Sequence, residues 1–214
     1  MKSRFRNHFV VGASLLVLLT PNTALTQDGI RLLHQMQQAL GGADRLAAIR
    51  DYDWRVTAKT WDQAGHPSGE VHRRIRLIRP NDFRMDQQGP YGTVVMYFNG
   101  SSGWEITPDG SADLQGSELE FAKREVFGFY LNLWSADRNP GYEIISPSTN
   151  VIRITYKPDQ LHLGDILVDQ KSGLPARTTG TSNYTEVKDW HTVKGVRLPH
   201  RILNFHSGGG ELKS

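Results

Sequence analysis

The 214-residue chain contains no cysteine. That excludes a disulfide framework, a thiolate zinc site, a cysteine nucleophile and a lipid anchor on an N-terminal cysteine. Long apolar runs are missing too. The longest, Phe9–Leu19, has eleven residues, short of the about 20 that a membrane-spanning helix needs. The short motifs of common chemistries are also absent: no G-x-S-x-G elbow, P-loop, G-x-G-x-x-G or H-E-x-x-H occurs. Finally, no acidic residue precedes Asp28. The formal charge of +3 comes from 25 basic against 22 acidic residues, and without Lys2, Arg4 and Arg6 the signs balance. A balanced chain has no global field to steer nucleic acid or anionic membranes towards it, so neither is expected as a partner.

What is present at the N-terminus reads as an export signal. Lys2, Arg4 and Arg6 form a positive region, Phe9–Leu19 an apolar one, and Pro21 is followed by the small residues Asn22, Thr23 and Ala24. This order matches a cleavable secretory signal over residues 1–26, cut after Ala24 or Thr26. An uncleaved anchor is the alternative. A periplasmic or secreted protein with a single domain over residues 27–214 is expected.

Asp28 is suited to cap a helix over 29–40, in which Ile30, Leu33, Met36 and Leu40 share a face and Gly41-Gly42 make the stop. A short helix over 44–49 follows. From Tyr52 the period changes to two: Tyr52, Trp54, Val56 and Ala58 alternate with Asp53, Arg55, Thr57 and Lys59. On the next strand Val71, Ile75 and Leu77 share a face with Arg73. Short strands continue to Thr107. Ser117-Glu118-Leu119-Glu120 then has the pattern of a capping box, opening an amphipathic segment that extends to Trp134. Five or six strands joined by tight turns complete the chain, ending with 196–206. Short turns imply antiparallel pairing. The pattern predicts a mainly β fold with helices, as one highly curved sheet carrying helices on one face.

Candidate chemistry is thin. Gly100-Ser101-Ser102-Gly103 lies between two strands and reads as a hairpin loop. His200 and His206 are about 20 Å apart along a strand, too far to share a metal. Asp165 and Asp169 are about 13 Å apart, beyond the reach of a two-carboxylate hydrolytic mechanism. No catalytic residue, metal or cofactor is expected. Trp54, Trp61, Trp104, Trp134 and Trp190 instead provide large apolar surface. It serves either a filled core or a cavity for an acyl chain, and parity alone does not separate the two.

The C-terminal half carries a more specific pattern. Asp169-Gln170-Lys171-Ser172-Gly173-Leu174-Pro175 is followed by Trp190 and then Val193-Lys194-Gly195-Val196-Arg197-Leu198-Pro199-His200-Arg201-Ile202. This resembles the D-x-x-[ST]-G-L-P … W-x-x-V-x-G-[VI]-x-L-P-x-x-I pattern of the LolA/LolB-like superfamily of periplasmic lipoprotein-carrier and lipid-binding proteins. Ala39-Leu40-Gly41-Gly42-Ala43 resembles members of that group as well. The resemblance implies an incomplete antiparallel β-barrel of about eleven strands, a half barrel whose helices cover an apolar cavity. It also implies a non-enzymatic monomer that binds a lipid or lipoprotein acyl chain. The inward residues expected to line the cavity are Trp54, Val56, Ile75, Leu77, Met96 and Phe98, with Phe129 and Leu133 from the covering helix. The alternative is a sensing module on the same fold, with a solid core and an envelope protein as its partner.

Overall fold

The computed structural model describes residues 21–62, 64–90, 92–180 and 183–206. The basic and apolar segments of the expected signal lie outside these residues. Two helices, α1 (Pro21–Leu40) and α2 (Ala43–Ala48), lead into six strands: β1 (Asp51–Trp61), β2 (Pro67–Ile78), β3 (Asp82–Gly89), β4 (Gly92–Phe98), β5 (Gly103–Thr107) and β6 (Gly110–Asp113). A helical stretch follows, made of α3 (Gly116–Phe127), α4 (Tyr130–Leu133) and a 3-10 turn (Ala136–Arg138). Six more strands complete the order: β7 (Tyr142–Ser148), β8 (Val151–Tyr156), β9 (Leu161–Val168), β10 (Pro175–Thr179), β11 (Asn183–Val193) and β12 (Val196–His206).

The antiparallel meander forms as the turns imply, but the half barrel does not. Hydrogen bonding links β1-β2-β3-β4-β5-β6 into one sheet and β12-β11-β10-β9-β8-β7 into a second. Neither sheet closes or curls strongly into a barrel. The ladder stops at β6 and starts afresh at β7, because the helical stretch separates them in sequence and packs between the sheets in space. Phe127 of α3 makes the join. Its ring lies 5.9 Å from that of Phe98 in the first sheet and 4.6 Å from that of Tyr156 in the second.

Three local expectations also change. Helix α1 begins at Pro21 rather than after Asp28, since Ala24, Leu25 and Gln27 are good helix formers. Asp28 is no cap but an internal partner of Arg31, at 2.9 Å. The capping box is not made either. Gln115 occupies the N-cap of α3 without a side-chain bond, and Glu120 pairs with Arg124 one turn on, at 2.6 Å. Finally, the long amphipathic segment breaks at Gly128. The buried Asn132 side chain folds back, its Nδ2 donating to the carbonyls of Val126 at 2.8 Å and Pro80 at 3.1 Å. The freed end of α3 is therefore satisfied by a side chain instead of another turn.

Helix α1 covers the second sheet. Its Leu33, Met36 and Leu40 are completely buried in one cluster with Ile152, Ile154 and Ile166. The approach is closest at Gly29, where a Cβ would stand 2.7 Å from the Ile145 carbonyl carbon of β7. At its far end Gly41, with φ 121°, turns the chain towards α2. No helix among the described residues is long and apolar enough to cross a membrane.

Candidate functional site

The register of the first sheet sorts its inner face into cross-strand rows. The first row runs Tyr52, Leu77, Phe83, Phe98. Here Leu77, Phe83 and Phe98 are buried, Phe98 against Phe127 of α3. In the second row, Trp54, Ile75, Met85 and Met96, burial alternates: Ile75 and Met96 are 9% and 5% exposed, whereas Trp54 and Met85 are half-buried. The third row is Val56, Arg73, Gln87, Val94, and all four are half-buried. Burial thus lessens at the third row, where Val56 and Val94 flank Arg73 and Gln87 and all four reach water.

The eight inward residues expected from the sequence fall along this gradient. Leu77, Phe98 and Leu133 are floor, fully enclosed in the core. Ile75 and Met96 form the transition. Trp54, Val56 and Phe129 reach solvent at the rim. Aromatic packing holds that rim. The Trp54 ring meets Tyr130 edge-on at 6.2 Å, and Phe129 meets Tyr52 at 5.7 Å. The Tyr52 and Tyr130 hydroxyls hydrogen-bond to each other, tying α4 to β1. Burial pushes both phenols above the usual range, so they remain neutral partners.

Three polar groups at the open end were not singled out as site residues from the sequence. Arg73 Nε donates to Gln87 Oε1 at 2.5 Å. Glu125 of α3 is accessible to solvent yet surrounded by protein, and this desolvation pushes its carboxyl up while the Arg73 charge opposes the shift. Arg73 could be placed on the inner face by parity with Ile75 and Leu77. Glu125 could not, since nothing local distinguishes it from Glu118 or Glu120.

The remaining candidates have structural roles. Asn99 Oδ1 accepts from the backbone N–H of Ser101 at 3.1 Å and of Ser102 at 2.9 Å, which fixes the glycine-serine tetrad as a hairpin loop. Asp165 is held by Arg153 at 2.7 Å, and Asp169 accepts from Ser172 in the turn before β10. Among the described residues, no group of three metal-ligating side chains converges.

No protein-family model matches the chain, and no curated protein matches it in sequence. Solved structures do. A DUF1329 family protein from Desulfovibrio piger superposes with a TM-score of 0.53 at 12% identity, over 89% of this chain and 88% of that one. A LolA superfamily protein, NE2245 from Nitrosomonas europaea, gives 0.48 at 13% identity, over 80% and 86%. The first of these likenesses is one of fold.

Proposed function

We propose that the protein is an exported, non-enzymatic binder or carrier of a lipid or lipoprotein acyl chain, working as one domain from residue 27 onward in the periplasm or outside the cell. The observation behind this reading is the half-buried apolar rim of Trp54, Val56 and Val94, which lies on the same sheet face as the core. An acyl chain laid there extends the core outwards, each buried methylene contributing about 0.8 kcal/mol. Arg73, Gln87 and Glu125 would sit beside the chain and provide the polar limit of the site. Loading and release are then governed by the difference in affinity between two placements of the covering helices.

Organic extraction of the purified protein followed by mass spectrometry is the direct test, together with titration of a fluorescent fatty acid. A co-purifying lipid is expected, and Val56→Trp should weaken fatty-acid binding by about tenfold through occupation of the rim. Absence of both lipid and fatty-acid binding would overturn the reading. So would recovery of one envelope protein that still binds when Val56 and Ala58 are replaced by bulky residues, which favours a protein-interaction module.

A further inference from the structure

A second pocket lies at the opposite end of the first sheet, where the turn after β2 meets α2, α4 and the 3-10 turn. It is an open pocket of about 180 Å³. Arg50, Arg79 and Arg138 line it, and no carboxylate does. Arg79 is the innermost. Its Nε donates to Asn132 Oδ1 at 3.1 Å and its Nη1 to the carbonyls of Leu46 at 2.9 Å and Ile49 at 3.3 Å. All these acceptors are neutral, and Nη2 has none among the described residues. A half-buried guanidinium without a counter-charge is unfavourable, and a second one nearby makes it more so. Burial accordingly lowers the pKa of Arg79, with Tyr142 opposing the shift and the Arg50 charge adding to it. Arg138 stands exposed at the mouth, paired with Asp44 at 3.0 Å and more loosely with Asp137 at 3.8 Å.

An independent observation comes from the wall. Ser135 is 3% exposed and its Oγ has no hydrogen-bond partner, although it borders the pocket. Buried hydroxyls are ordinarily satisfied, and one left open beside Arg79, whose acceptors are all neutral, matches the donor set of an oxyanion site.

We propose that this pocket binds a phosphate-class oxyanion, either as free phosphate or as the phosphate headgroup of a lipid. The arginines supply charge and planar donors, and Ser135 supplies a hydroxyl donor at the wall. The site stands apart from the rim around Val56 and does not depend on the acyl-chain reading.

Calorimetric titration at constant ionic strength with inorganic phosphate and with dihexanoyl phosphatidic acid tests it. Saturable binding of either probe is expected. Tighter binding of the lipid identifies the headgroup as the source, and equal or tighter binding of phosphate identifies the free anion. Arg50→Gln should weaken binding by about tenfold or more. Ser135→Ala should weaken it several-fold while leaving the melting temperature of the unliganded protein unchanged or higher, because the hydroxyl it removes is unpaired. Arg55→Gln, on the outer face of β1, should change nothing. No saturable binding of either probe, or binding unaltered in both Arg50→Gln and Ser135→Ala, overturns the proposal.

Discussion

The two sheets have the same number of strands but differ in how much helix covers them. On the second sheet, α1 lies across β7 and β8, and Ile144, Ile152, Ile154, Ile166 and Val168 are all enclosed. On the first, Leu77 and Phe98 are fully enclosed and Ile75 and Met96 nearly so, while Trp54 and Val56 are only half-buried at the rim. The same alternation of apolar and polar residues therefore makes an enclosed core at β7–β9 and a partly open apolar surface on β1–β4. Accessible apolar surface arises here where the cover is incomplete.

Substitutions that treat the two halves alike should expose this difference. Met36→Ala, under the sealed half, is expected to cost about 2–5 kcal/mol in denaturant unfolding. Val56→Ala at the open rim should cost no more than about 1 kcal/mol. Equal costs would mean that the rim is core and the contrast false. Gly29→Ala probes the seal at its tightest point, where α1 meets the backbone of β7. Overpacking there should cost about 1–3 kcal/mol by the same measurement, and a neutral result would show that α1 rides loosely.

The smallest effect concerns pH. Desolvation raises the Glu125 carboxyl, so the folded protein keeps that proton to higher pH than the unfolded chain does. Over that interval the folded state binds more protons, and stability falls as pH rises. Glu125→Gln should therefore raise the melting temperature slightly at about pH 7 and leave it unchanged below about pH 3, where both forms are neutral. A lower melting temperature at neutral pH would show that attraction to Arg73 outweighs desolvation.

Much of the strand pattern was legible because parity is local. Val71, Ile75 and Leu77 face inwards with Arg73 among them, and the turn through Lys194 and Gly195 joins β11 to β12. Periodicity says which face a residue takes, but not where a ladder ends, so two sheets looked like one. The break at Gly128 was hidden for a similar reason. Apolar residues continue through Phe129 and Leu133 at helical spacing, and the stop is made by Asn132 reaching Val126 and Pro80. Trp54 and Val56 could be read as inward, but their partial exposure depends on where α3 ends its cover. Arg50, Arg79 and Arg138 are scattered along the chain and share a pocket only after folding.

Open sheets, unlike a barrel, leave edges, and β12 is a long one with eleven residues. Such an edge offers a row of backbone donors and acceptors to any neighbouring chain, the starting point for strand addition and fibre growth. Pro199 stands within that row, opposite Trp190, and contributes no N–H. The opposite long edge, β1, carries Arg55 and Lys59. Copies of this protein meeting at high concentration therefore find an interrupted template at one end and a charged one at the other, which favours solubility over self-association.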